Sequence, residues 1–329
     1  MGMNLTARKL GAGATIAVAV AAGGAMAQTG PTSAVEILVG ATPGGGFDRM
    51  ARSLETILVE GNMLDVPISI TYHPGGGGAV AWATLNRFPG DMSKMSIFSP
   101  NIVTNEVLEA TDGSYRDNTM LATLVFEDGC FAVNPNGAIT NADELVAALE
   151  SDASSLRFGF AVAAGNQWHV AMAKLAEAAG ADITEVRATV FDSGGRSTAA
   201  LLGESTDVTV TGCAGLAQYH QSGDLKIVAV SAPERLSGTL ADVPTWRELG
   251  HDVVWGAWRG VLGPRDLSAD QIAFWEGIFE QVVQTEAWDE IVQENFWRTS
   301  FLGSAATADM MAYELEQYTN ILRTLGLID

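Results

Sequence analysis

Positive charge is scarce in this chain: 18 Lys and Arg stand against 39 Asp and Glu, a formal net charge of −21 over 329 residues. Nucleic acid needs a basic face, so it is excluded as a partner class. Cysteine and histidine are scarcer still, with Cys130 and Cys213, and His73, His169, His220 and His251. Neither set has zinc-site spacing, and no metal or cofactor is expected. Both cysteines sit in apolar, strand-like segments where buried free thiols are common, and the reading favours free thiols although export would permit a bridge. Catalytic and nucleotide fingerprints are also missing. There is no Gly-x-Ser-x-Gly elbow. The first glycine loop has neither the Gly-Lys-Ser/Thr ending of a Walker loop nor the third glycine of a dinucleotide loop. Beyond the N-terminus, no apolar run approaches the ~20 residues of a membrane span.

What is present is a hydrophobic fraction of 47%, ample for two cores, and a length for which two domains are the natural division. Residues 1–27 read as a secretion signal. Arg8 and Lys9 give a positive start, Leu10 to Gly24 an apolar centre, and Ala25-Met26-Ala27 a small-x-small cleavage site. The mature chain is expected to begin at Gln28. No cysteine stands at the cut for lipid attachment, so a soluble protein of a Gram-negative periplasm is expected. An acidic protein can still bind an acid, because surface charge is screened over ~8 Å at physiological salt and local donors decide the sign inside a cleft.

The chain is organised around Ala41-Thr42-Pro43-Gly44-Gly45-Gly46-Phe47-Asp48. A buried strand, Val35 to Val39, precedes it and an amphipathic helix, Arg49 to Leu58, follows. Glycine lets a ligand reach the backbone, and the first N–H groups of a helix lack intrahelical partners and carry partial positive charge. Such a corner attracts anions. One corner alone is more often just a tight turn, but this one recurs. Strand Val66 to Tyr72 runs into His73-Pro74-Gly75-Gly76-Gly77-Gly78 and a helix from Ala79; strand Met95 to Phe98 runs into Ser99-Pro100-Asn101 and helix Ile102 to Leu108. Strand–turn–helix units in series predict a parallel sheet with ligands at its carboxyl edge.

Leu121 to Phe126 and Cys130 to Val133 flank Glu127-Asp128-Gly129, read as a crossing into a second domain. There Thr140 to Asp143 reads as a capping box for helix Glu144 to Leu149. The rhythm then returns as strands Arg157 to Ala161, Val186 to Val190, Val208 to Thr211 and Lys226 to Val230, with helices Trp168 to Ala179, Arg196 to Leu202 and Leu216 to Gln221 between them. The chain returns to the first domain between Val243 and Trp258, forms a strand at Arg259, and ends in helices Ala269 to Gln284, Ala287 to Glu294 and Ala306 to Leu325. The expected division is residues 28–126 plus 246–329 against 127–245, closing by a hinge over a ligand.

These residues resemble the periplasmic solute-binding proteins of tripartite tricarboxylate transporters. The likeness spreads over the mature chain: Pro43 to Asp48, Pro74 to Gly78, Gly165-Asn166-Gln167-Trp168-His169, Phe191-Asp192-Ser193-Gly194-Gly195, Gly223 to Lys226, Ser231 to Arg235, Asp242 to Thr245 and Trp258 to Val261. It implies an α/β, two-lobed Venus-flytrap fold of type II-like form, each lobe a mainly parallel sheet flanked by helices. It implies no catalysis, carboxylate capture by backbone amides of the first lobe's glycine loops, often with ordered water, and delivery to a permease with a large and a small integral subunit. A monomer is expected. Phe47 stands where the tricarboxylate-like branch often has Trp, and Arg196 where it often has Glu.

Each candidate role has an ordinary rival. Gly44, Gly45, Gly46 and Phe47 are expected to donate to one carboxylate, with Asp48 ordering the loop. Gly76, Gly77, Gly78 and Ala79 are expected to form a second donor corner, and Ser99 and Asn101 to offer neutral hydrogen bonds at a third. In the other lobe Gly165, Asn166 and Gln167 are placed at the distal end of the ligand, and His169 is either a contact or a satisfied structural histidine. Asp192, Ser193, Gly194 and Gly195 form another corner, with Arg196 either a cationic partner or a solvated first-turn residue. Cys213 marks the next corner. Arg259 is the better buried counter-charge, its rival role an ion pair with one of the many acids. Two other functions stay open: a ligand-presenting sensor on the same fold, and a hydrolase using Ser193, which would need a base.

Overall fold

β1 (Val35–Val39) leads through the first glycine corner into α1 (Gly46–Glu60), β2 (Ile68–Tyr72) through the second toward α2 (Ala79–Leu85), and β3 (Lys94–Phe98) into α3 (Asn101–Val107). The structure, a computed structural model, describes residues 30–329; the secretion signal read at 1–27 lies outside the described residues. α1 forms because Phe47, Met50, Ala51, Leu54, Ile57 and Leu58 recur on one helical face, and all are buried. β1 pairs in parallel with β2 and β3, the arrangement that crossover helices impose.

β4 (Thr119–Val133) is one strand of 15 residues, where the sequence reading has two segments and a turn. Asp-Gly is a turn signal, but here both acids are buried and paired. Glu127 meets Arg259, and Asp128 meets Arg298 through two contacts of 2.9 Å. With its charges neutralised, the strand runs on. Its first part pairs antiparallel with β9 (Gly256–Gly263) and β10 (Trp297–Gly303), a strand the sequence reading lacks. From Gly129 onward it pairs antiparallel with β7 (Val208–Gly212) and, from Cys130, with β8 (Lys226–Val230). β4 is therefore the seam of two sheets. In the second sheet β5 (Arg157–Ala161) pairs in parallel with β6 (Arg187–Phe191) and β7. The main path runs β2-β1-β3-β9-β4-β7-β5-β6. Each lobe thus joins a parallel part to antiparallel strands at the seam.

Helices α4 (Ala142–Asp152), α5 (Gln167–Ala178), α6 (Gly194–Leu202) and α7 (Ala214–Ser222) cover the second sheet. The cap of α4 falls one residue later than expected. Asn141 accepts from Glu144 N at 2.9 Å, while Glu144 reaches back to Thr140. Separate buried clusters, one around Phe158 and Leu175 and one around Leu201 and Leu216, form in this lobe. α8 (Ala269–Val282), α9 (Glu286–Glu294) and α10 (Ser304–Thr324) return to the first lobe, where Trp275, Trp288 and Tyr318 are fully buried. None of the described helices is long and apolar enough to cross a membrane.

Cys130 and Cys213 form a disulfide, which corrects the expectation of free thiols. Cys130 pairs with Thr211 across the β4–β7 ladder and Cys213 stands just past the end of β7. That proximity exists only once the strand register is set, so sequence spacing does not reveal it.

Candidate functional site

The loops after β1, β3, β5, β6 and β7 meet around a cavity of about 280 Å³. Residues from both lobes line it. Gly44, Gly45, Gly46, Phe47, Ser99 and Asn101 come from the first, and Ala161, Gln167, Ser193, Gly194, Gly195 and Thr211 from the second. Four helices, α1, α5, α6 and α7, begin at its wall. Their first-turn N–H groups point out of the helix and bring partial positive charge. Asn166 caps α5 by accepting from Trp168 N and His169 N, and Ser193 caps α6 by accepting from Arg196 N. α1 and α7 start at Gly45 and Cys213 with no side-chain cap.

The floor is an ion pair. Arg259, 4% exposed, grips Glu127, 1% exposed, with Nε 3.1 Å from Oε2 and Nη2 on the same oxygen. The guanidinium also lies over the Phe47 ring at 5.6 Å. Two glycines make this packing possible. A Cβ on Gly46 would stand 2.3 Å from Arg259 Nη2, and one on Gly212 would stand 1.9 Å from Glu127 Oε1. Burial pushes the Glu127 carboxyl up, but the charges of Arg259 and Arg49 outweigh it and leave the group below the usual glutamate range. Arg49, in the first turn of α1, completes the charged set. Its Nη1 donates to Gly44 O at 3.0 Å. Burial lowers its pKa, with Glu127 opposing and Arg259 adding to the effect.

Several buried polar atoms on this wall have no protein partner: Arg49 Nε, Ser99 Oγ, Asn101 Oδ1, Glu127 Oε1 and Gln167 Oε1. Unpaired buried polar atoms cost stability, and in a cleft they are what a polar ligand satisfies.

The predicted residues sort by place. Asp48 lies outside the lining and holds the first corner, accepting from Gly44 N at 2.8 Å and from Tyr72 Oη at 2.6 Å. The second corner does not reach the cavity, which corrects its reading as a donor set. Ala79 N and Gly78 N are spent on Gly76 O and Gly75 O, and the carbonyls of Gly76 and Gly77 accept from Asn105 and Asn101. Gly165 and His169 also stand off the cavity. Gly165 N donates to His169 Nδ1 at 2.9 Å, and the imidazole stacks on Phe160. Burial lowers the His169 pKa to about 4, so the ring is neutral at pH 7. Asn166 is buried as the cap of α5 and lies outside the lining. Arg196 and Asp192 point away and face each other at 3.7 Å with side chains 71% and 79% exposed, so Arg196 is the solvated first-turn residue and not a cleft cation. Cys213 is held in the disulfide. Arg259 lines the cavity and is also in an ion pair.

Sequence reasoning missed Arg49, Glu127, Thr211, Gly212, Gly215, Gln218 and Tyr219, all on the lining. Arg49 had a signal: it is the first cation inside the leading glycine corner. Glu127 was hidden by the turn-like Asp-Gly beside it.

A cleft between two α/β lobes, walled by helix N-termini from both, defines a solute-binding protein of the periplasmic-binding class. Residues 51–327 match the Tripartite tricarboxylate transporter family receptor, and the chain belongs to that family. Protein BugT of Bordetella pertussis (strain Tohama I) is 23% identical over 333 residues, spanning 98% of this chain and 99% of BugT. Among solved structures, R. palustris Rpa4515 with adipate overlays with a TM-score of 0.82 at 19% identity, covering 90% of this chain and 98% of that one. MatC from Rhodopseudomonas palustris with bound malate overlays at 0.75 and 19% identity, covering 89% and 99%. At these identities the structural likeness is one of fold.

Proposed function

We propose that this protein captures a small organic acid, a di- or tricarboxylate, in the interlobe cleft. It then delivers the acid to the large and small integral subunits of a tripartite tricarboxylate-type permease. In this reading residues 1–27 direct export and are cleaved, and the mature chain works in the periplasm as a monomer. Its lobes are residues 28–126 plus 246–329 and 127–245, moving about the crossings at β4 and before β9.

The observation that carries the reading is local charge. In a chain of net charge −21 the cavity wall holds two guanidiniums, one carboxylate and four helix N-termini. Coulomb interactions strengthen as water leaves a closing cleft, so these donors select an anion. The malate and adipate named for two structural neighbours are carboxylates of this kind. A hydrolase reading has less support: Ser193 Oγ accepts from Arg196 N, and the lining contains no histidine to serve as its base. Calorimetry and thermal-shift screening against succinate, malate, adipate, citrate and an uncharged sugar test the proposal. The expectation is saturable binding of at least one acid with a raised melting temperature. Binding of the sugar alone, or of nothing, would count against it.

A further inference from the structure

Arg49 sits in the first turn of α1, in one lobe, and its guanidinium crosses to the other. A Cβ built on Gly215 would lie 3.9 Å from Arg49 Nη2. Gly215 is the second residue of α7, whose N-cap position is Cys213, tied into the disulfide and offering no side-chain oxygen to the helix. A guanidinium and an uncapped helix N-terminus are both positive poles. They face each other across the cleft. The acid on the lining, Glu127, has its Oε2 committed to Arg259. One positive side-chain charge is therefore left over on the wall, and Arg49 Nε is buried with no partner. Gln167, 3% exposed, and Ser99, fully buried, also leave an oxygen unpartnered there.

We propose that one ligand carboxylate is received between the Arg49 guanidinium and the N-terminus of α7, and that by separating these like poles it couples occupancy to lobe closure. A carboxylate matches both sides, since a guanidinium fork grips it in two places and its remaining lone pairs accept from the helix N–H groups. Without the anion, closing the lobes presses two positive poles together; with it, the same approach becomes attractive. Arg49 is then the main determinant of affinity for acids over neutral solutes of equal size. This inference rests on the carboxylate-binding reading above.

The test compares the mature chain with Arg49→Gln and Arg49→Lys, using the acid that binds wild type best from the panel of succinate, malate, adipate and citrate. Calorimetry is expected to show at least tenfold weaker binding for Arg49→Gln, with Arg49→Lys recovering only part because it keeps charge and loses the fork. Small-angle scattering of the unliganded proteins is expected to show Arg49→Gln more compact than wild type, since the repulsion between poles is gone. A purely structural arginine would not produce that compaction. Wild-type affinity in Arg49→Gln, with no change in unliganded compactness, overturns the inference and leaves the carboxylate reading standing. A wild-type protein that binds none of the acids overturns both. If Arg49→Gln does not fold, Arg49→Lys carries the test, and wild-type affinity there overturns the proposal.

Discussion

The first and second glycine corners look alike in sequence and differ in what they offer. In the first, only Gly44 has a positive φ, +88°, and the chain enters a helix of 15 residues directly behind it. Asp48 takes the Gly44 N–H, and Gly45, Gly46 and Phe47 stay on the cavity wall. In the second, Gly75 to Gly78 all have positive φ, and the backbone curls into a 3-10 turn in which Gly78 N and Ala79 N donate to Gly75 O and Gly76 O. Place in the sheet differs too. β1 lies inside the sheet between β2 and β3, whereas β2 is the edge strand. What a glycine corner can offer a cleft depends on which of its N–H groups stay unspent and on whether its strand lies inside the sheet or at its edge. Glycine content alone settles neither condition.

The largest expected effect concerns the pair under the first corner. Arg259→Met leaves Glu127 without its bonded partner in a site where it is 1% exposed. Breaking such a buried pair costs about 3–5 kcal/mol. Urea unfolding should show a loss of that order, and adding Glu127→Gln should recover much of it. A loss below about 1 kcal/mol would mean that the first corner does not stand on this ion pair.

A smaller effect comes from adding one methyl to each corner. Gly46→Ala puts a Cβ 2.3 Å from Arg259 Nη2 and 2.5 Å from its Cζ, so the buried guanidinium must move. Ligand affinity is expected to fall roughly tenfold, about 1.4 kcal/mol. Gly77→Ala forces a left-handed conformation, φ +61°, on an alanine whose Cβ meets Asn101 at 3.4 Å. That costs about 1–2 kcal/mol of stability and should leave affinity nearly unchanged. The opposite ranking of affinities by calorimetry would make the second corner the ligand site.

Much of the fold was legible because its signals are local. β1, β5 and β8 were read with the ends they have, and α1, α8, α9 and α10 within a few residues, because strand runs and 3.6-residue periodicity lie in short windows. What escaped depends on partners distant in sequence. β4 continues through Glu127-Asp128 because Arg259 and Arg298, from β9 and β10, neutralise it. β10 owes its strand to pairing with β4, where Trp297 stands opposite Glu127, and its own residues alternate poorly between buried and exposed. The disulfide follows from the β4–β7 register. For the site, the glycines after β1 and β6 were legible as corners, while the side chains that charge the cleft were not. Arg49 and Arg196 both occupy first helical turns, yet Arg49 is half-buried on the cavity wall and Arg196 is 71% exposed beside Asp192. Arg49 is the fourth residue of its helix and Arg196 the third, and which way each helix start faces is a tertiary fact.

The smallest expected effect probes the link between the two corners. Asn101 stands on the cavity wall, 1% exposed, and donates from Nδ2 to Gly77 O at 3.1 Å, while its Oδ1 has no partner. Asn105 makes the equivalent bond to Gly76 O at 2.6 Å but lies off this wall. Each bond is worth about 1 kcal/mol, so Asn101→Ala and Asn105→Ala should lower stability by similar amounts. Only Asn101→Ala should also weaken ligand binding, by roughly three- to tenfold, because it alone removes a polar group from the cleft. Equal affinities in the two variants would mean that Asn101 serves the second corner and nothing else. The ligand would then be held by the first corner and the far lobe without help from the β3 loop.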